Sequence, residues 1–149
     1  MPEFIIFLVG VAMFFYPLLS MLTGFSLYRM GKNNGIPHSW IAFIPFFQIY
    51  IMGNIAGDIK IFNKRIPNPG DLALSFGLLS LFISKNFNAE GLLVVIAIII
   101  FIIYIAILDK LFWKYKEHHY NLSTLLSIFF PILLPIFLFA IRNNKPIRG

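Results

Sequence analysis

A long apolar run without a charge or a helix breaker lies in the second half of the chain: Leu92–Leu108, LLVVIAIIIFIIYIAIL. Each Ile, Leu, Val or Phe favours membrane insertion by roughly a few tenths of a kcal/mol, so the run inserts favourably as a helix. Its β-branched residues do not argue for a strand, because a lone strand in lipid leaves its backbone groups unpaired. The run therefore predicts a membrane-spanning helix.

Composition extends this prediction to the whole chain. Hydrophobic residues make up 59% of the 149 residues, charged residues only 12%, and mean hydropathy is +0.84. Soluble domains are about half apolar and about a quarter charged. A soluble fold of this length could not bury so much apolar surface, so we expect one integral membrane domain over residues 1–149, with the lipid bilayer as its solvent.

The apolar residues form five blocks, which predict an all-α, polytopic protein with three to five hydrophobic helices. The blocks are Phe4–Tyr28, Trp40–Ala56, Leu72–Ser84, Leu92–Leu108 and Leu122–Ile141. The N-terminal residues MPEFIIFLVG carry no Lys or Arg before the apolar run, so we expect a retained first helix rather than a signal peptide. The segment between the second and third blocks is expected to be a loop.

Two of the five blocks are broken by proline, which removes a backbone donor and interrupts a helix. Pro45 divides the second block, and Pro131 and Pro135 divide the fifth. Trp40 is expected to anchor the second block at the membrane interface. Both blocks are candidates for re-entrant segments that enter the membrane and return to the same side.

An internal repeat is suggested by the order of these features. At an offset of about 85, LYRMGKNNGIPHSWIAFIPFFQIYIMGNIAG aligns with FWKYKEHHYNLSTLLSIFFPILLPIFLFAIR. Each half, about 4–57 and 92–142 with 58–91 between them, is a long helix, a basic linker and a proline-broken block. The alternative is that two apolar sequences align by chance.

The distribution of positive charge separates two topologies. Five crossings divide the 12 Lys and Arg residues evenly between the two sides, whereas re-entry of the proline-broken blocks leaves only Lys85 outside. The positive-inside rule favours re-entry, with a cytoplasmic C-terminus in a multi-pass protein of the cell membrane. The length of the fifth block favours a crossing, so both topologies stay open. Because the cations are scattered between apolar blocks, no nucleic-acid partner is expected.

The pattern Gly31-Lys32, Gly35-Ile36-Pro37, Trp40, Ile44-Pro45, Tyr50 and Gly53, followed by the proline-rich block FFPILLPIF, resembles a family of small bacterial integral membrane proteins of unknown function. The similarity covers most of the chain. The family's aromatic cluster after the first half is replaced here by Asn68-Pro69-Gly70. The resemblance implies a membrane protein and carries no established activity.

A ligand or pathway site, if present, is expected near the end of the second block. The candidates are Gln48, Gly53, Asn54, Gly57 and Asp58. Glycines let backbone approach a ligand closely, and an asparagine offers both a donor and an acceptor. The competing interpretation is a helix that ends at Gly57 with Asp58 facing water.

The sequence gives little support for a catalytic site or a metal site. Adjacent histidines on a helix point about 100° apart, so His118 and His119 do not form a metal site with His38 easily. No metal or other cofactor is expected. The sequence contains no HExxH, Gly-x-Ser-x-Gly or P-loop motif, and no cysteine. We therefore expect a non-catalytic protein that acts by assembly with itself or with another membrane component, and the alternative is a small transporter or channel with a pathway between the proline-broken blocks.

Overall fold

The computed structural model describes residues 2–86, 89–116 and 118–148. It is 78% helical with six α-helices, so the expected predominance of helix is confirmed. One short β-hairpin and two 3-10 helices, Ser39–Phe43 and Pro45–Phe47, complete the described elements. The α-helices are α1 (Pro2–Asn33), α2 (Gln48–Ala56), α3 (Pro69–Asn86), α4 (Glu90–Tyr115), α5 (Tyr120–Phe129) and α6 (Leu133–Ile141).

Two of these helices, α1 and α4, are long and apolar enough to cross a membrane. The most apolar stretch of α1 contains no buried residue, and that of α4 is 22% buried. The buried residues of α1 all lie in its second half, from Thr23 to Gly31. Pro17 does not interrupt α1, which is continuous from Pro2 to Asn33.

The segment after α1 folds back along that helix. Gly35 and His38 adopt positive φ angles of 68° and 58° in the turn. A Cβ atom on Gly24 would lie 2.9 Å from the Ala42 carbonyl oxygen, so the 3-10 helix runs against the α1 backbone. The chain is extended at Ile44, and Pro45 starts a new turn because its fixed φ suits a first helical position.

The C-terminal block is broken in the same manner. His119 has a φ of 56° at the start of α5, which ends at Phe129. Pro131 follows the break, and Pro135 lies in the first turn of α6, where its missing N–H costs no helical hydrogen bond. Neither proline-broken block is therefore one continuous helix.

The segment between α2 and α3 is more ordered than the expected loop. Strands β1 (Ile59–Ile61) and β2 (Lys64–Ile66) pair antiparallel, with Phe62 and Asn63 at positive φ in the turn. The following helix, α3, is longer than the predicted Leu72–Ser84 because it starts at Pro69 and continues to Asn86. Short strands and helix ends carry little apolar periodicity, and sequence patterns locate them poorly for that reason.

The carboxyl ends of α1, α2 and α4 meet the C-terminal tail, residues 143–148, in a region that we call the joined end. The Asn34 side chain, just after α1, donates to the Tyr115 hydroxyl of α4 at 2.6 Å. The Lys114 ammonium donates to the Ile55 carbonyl of α2 at 2.9 Å. The tail is held by the Ile147 N–H, which donates to the Lys114 carbonyl at 2.8 Å.

Candidate functional site

A cleft of about 660 Å³ lies beside α1, where both proline-broken segments turn. Pro45 and Gln48 reach it from the first segment, and Pro131 and Pro135 reach it from the second. Its remaining lining residues are Leu8, Val11, Ala12, Phe15, Tyr16, Leu19, Ser20, Thr23, Ile49, Met52, Tyr104, Ile132 and Leu134. The lining is mostly apolar, so the cleft suits an apolar occupant better than a water-filled path for a polar solute.

The polar groups of the cleft come from three helices. The Gln48 amide nitrogen donates to the Ser20 carbonyl at 3.1 Å and to its hydroxyl at 3.3 Å. The Thr23 hydroxyl donates to the Leu19 carbonyl at 2.9 Å, within α1. Tyr104 brings a phenol from the centre of α4. The amide of Gln48 thus ties the start of α2 to the middle of α1, as polar side chains often do between membrane helices.

Of the predicted ligand residues, Gln48 alone is among the described residues that line the cleft. Gly53 instead lies against α3, where an added Cβ would stand 2.3 Å from the Gly70 nitrogen. Its missing side chain therefore allows two backbones to pack closely. Gly57 ends α2 with a φ of 77°, and its N–H donates to the Gly53 carbonyl at 3.0 Å. Gly53 therefore serves the packing of α2 against α3, and Gly57 serves the termination of α2.

The rest of the predicted turn is also distant from the cleft. Asp58 forms an ion pair with Arg65 across the β-hairpin. Asn54 is half-buried and is absent from the described lining of the cleft. Trp40 is 58% exposed on the first 3-10 helix and likewise does not line it. The predicted turn Gly53–Asp58 and Gln48 consequently occupy opposite ends of α2.

The histidines occupy turns. His38 and His119 both precede a helical segment in the left-handed conformation, which His tolerates better than most non-glycine residues. The rings of His118 and His119 are 6.4 Å apart between centroids. Within residues 2–86, 89–116 and 118–148, no group of three or more His, Asp and Glu side chains could hold a metal ion.

Four lining residues with a hydroxyl group, Tyr16, Ser20, Thr23 and Tyr104, were not among the predicted site residues. Ser20 and Thr23 are separated by three positions, which places them on one side of α1. Tyr104 is the one residue with a hydrogen-bonding side chain in the run LLVVIAIIIFIIYIAIL. These residues are hydroxyl-bearing side chains within long apolar helices, and that pattern could have identified them from the sequence.

No significant match is found to a protein-family model, a curated protein or a solved structure. The fold and the cleft are therefore the basis for a functional proposal.

Proposed function

We propose that this chain is an integral membrane protein with three crossings, α1, α3 and α4, and two re-entrant hairpins. The first hairpin consists of the 3-10 helices and α2, and the second of α5 and α6. Two of the proposed crossings have the length and apolarity for the task. The third, α3, has 18 residues, but its uncharged run between Asp71 and Lys85 measures only about 20 Å, so this crossing requires the bilayer to thin locally around it.

The joined end supports this topology. Because Asn34 contacts Tyr115, α1 and α4 finish on the same side. The contact of Lys114 with Ile55 supports a return of α2 to that side instead of a crossing. Of the 12 Lys and Arg residues, only Lys85 then lies on the other side, so the positive-inside rule makes the joined end and the C-terminus cytoplasmic. The cell membrane is the corresponding location.

An internal repeat also accounts for several paired features. Helices α2 and α6 have nine residues each and start 85 positions apart, at Gln48 and Leu133. His38 and His119 share a left-handed backbone before their hairpins, although they are 81 positions apart and align only after a shift of four residues. Packing is reciprocal, since α6 lies against α1 and α2 lies against α4. Repeats of this kind are common among membrane proteins.

For function, we propose non-catalytic assembly, in which the first half of α1 binds a second copy of the chain. The observation that carries the proposal is that this half, 2–18, is exposed on every face while the second half of α1 is packed. Apart from Glu3 in the first turn, its faces are apolar, which suits a dry contact with protein or lipid and leaves no polar stripe for water. The adjoining cleft gives such a contact a recessed surface.

Cysteine cross-linking in proteoliposomes tests this assembly, since the chain has no cysteine of its own. Single cysteines at each position from Phe7 to Phe14 sample all faces of α1 over two turns. We expect disulfide-linked dimers on one face, with Gly10, around which space is open, as a favourable position. Leu81→Cys, exposed on α3, is the matched control and should stay monomeric.

The outcomes of this scan are distinct. Dimers on a single α1 face support self-assembly. If cross-links form only in native membranes and only with a different protein, the partner is another membrane component. Monomers at all eight positions in both settings would refute assembly through α1.

A pathway for a solute is the second candidate function. Its specific support is that the turns of both proposed hairpins meet at one cleft, with the polar groups of Gln48 and Tyr104 in the lining. A water-filled pathway predicts that Ile49→Cys, inside the cleft, reacts with a charged thiol reagent from the aqueous phase. A dry cleft predicts protection of that cysteine until the protein is unfolded.

A further inference from the structure

A second cavity, of about 330 Å³, lies at the joined end between the end of α1 and the C-terminal tail. Its walls are formed by Met30, Asn33, Asn34, Tyr115, Asn143, Asn144, Lys145 and Pro146. Unlike the cleft beside α1, this cavity is rich in hydrogen-bonding groups. Four asparagine amides and one phenol line it, and the one charged side chain among its described lining residues is a lysine.

Tyr115 gives the cavity a buried donor. The residue is only 1% exposed, and its oxygen accepts a hydrogen bond of 2.6 Å from the Asn34 amide. A phenol can donate one hydrogen bond as well as accept. No acceptor for the Tyr115 hydroxyl hydrogen is found among the residues that the structure describes. An oxygen atom of a ligand in the cavity could accept it.

The tail wall of this cavity is fixed by several contacts. The Ile147 N–H donates to the Lys114 carbonyl at 2.8 Å, and the Asn144 amide donates to the Tyr115 carbonyl at 3.4 Å. The guanidinium of Arg148 donates to the Trp113 carbonyl at 3.4 Å. Lys145 is therefore carried by a segment attached on both sides.

From these contacts we infer that the cavity binds a phosphate group. Lys145 supplies a positive charge, and no carboxylate among the described lining residues opposes an anion. The Tyr115 hydroxyl and the asparagine amides supply neutral donors to phosphate oxygens. The group belongs either to an anionic lipid headgroup or to free phosphate, since both present the same oxygens. This inference does not depend on assembly through α1.

Binding to the full chain in nanodiscs tests the site and identifies the source. In one arm, discs of phosphatidylcholine alone are titrated with inorganic phosphate by calorimetry. In the other, native mass spectrometry counts the phosphatidylglycerol retained by protein from mixed discs. Lys145→Gln removes the charge on an exposed residue, and Tyr115→Phe removes the hydroxyl. Lys64→Gln, on the β-hairpin, is the control of equal charge.

Loss of about tenfold in affinity is expected for each cavity variant, since one charge-assisted hydrogen bond is lost. Weakening confined to phosphatidylglycerol assigns a lipid headgroup, and weakening confined to inorganic phosphate assigns the free anion. Wild-type binding by Lys145→Gln would overturn the site. An equal loss in Lys64→Gln would also overturn it, because general surface charge would then account for the binding.

Discussion

The Asn34 amide and the Tyr115 hydroxyl, 81 residues apart in sequence, are joined by a hydrogen bond of 2.6 Å. The same Asn34 nitrogen donates to the Met30 carbonyl at 2.7 Å, at the end of α1. One side chain therefore finishes a helix and connects it to another. Tyr115 is almost fully buried, and Asn34 is the donor that the structure gives to its oxygen.

Asn34→Ala should destabilise the protein, because it removes both bonds and leaves the buried phenol oxygen without its donor. We expect a loss of about 1–3 kcal/mol in the free energy of unfolding. Denaturation in mild detergent, followed by tryptophan fluorescence, measures it. Asn33→Ala, an exposed neighbour, should change stability little. Equal effects of the two substitutions would show that the contact with Tyr115 is not the cause.

Lys64 and Arg142 should lie on the same, cytoplasmic, side. Single cysteines at these positions in intact cells should resist a membrane-impermeant thiol reagent and react after lysis. Asn86→Cys, at the far end of α3, should react without lysis. External labelling of only one of the first two positions would refute the re-entrant arrangement and favour five crossings.

Gly53→Ala should loosen the packing of α2 against α3. The new Cβ would stand 2.3 Å from the Gly70 nitrogen and 2.4 Å from its Cα, and backbone cannot yield easily. Overpacking of this kind costs about 1–3 kcal/mol. Gly10→Ala is the matched control, because space around Gly10 is open and Ala is the better helix former. A fall in melting temperature for Gly10→Ala as large as that for Gly53→Ala would contradict this explanation.

Gln48→Leu should weaken the link between α2 and α1 by removing both hydrogen bonds to Ser20. A loss of about 0.5–1.5 kcal/mol per hydrogen bond is typical, less the gain from an apolar side chain. Asn54→Leu, on a half-buried residue outside the described cleft lining, should leave both stability and any cleft function intact. If Asn54→Leu alone abolished function at wild-type stability, the site would belong at the Gly53–Asp58 turn instead.

Local chemistry explains which parts of the fold could be predicted. The breaks at Pro45 and Pro131 follow from the missing proline N–H, and the charge-free run of α4 follows from insertion energetics. The pairing of Asn34 with Tyr115 and of Gly53 with Gly70 was not predictable, because it depends on how distant helices pack. Gly53 does allow a close approach of the backbone, as predicted, but what approaches it is the backbone of α3 and not a ligand.

The site was predicted only in part for a similar reason. Gln48 was identified by its polarity within an apolar block, and it does face the cleft. The turn at Gly57 and Asp58 looked equally suitable, because glycine and acid residues serve ligands and helix ends alike. The direction of α2 distinguishes Gln48 from this turn. The first residue of α2 lies at the cleft, and its last residues lie at the joined end.

The contact between Lys114 and Ile55 also bears on the order in which the protein is made. Its donor is synthesised 59 residues after its acceptor, so the last carbonyls of α2 lack this partner while α3 and most of α4 are still being added. This contact between the two halves therefore forms only after Lys114 has been synthesised. A ribosome stalled before Lys114 would leave a short helix whose end is not yet held in place.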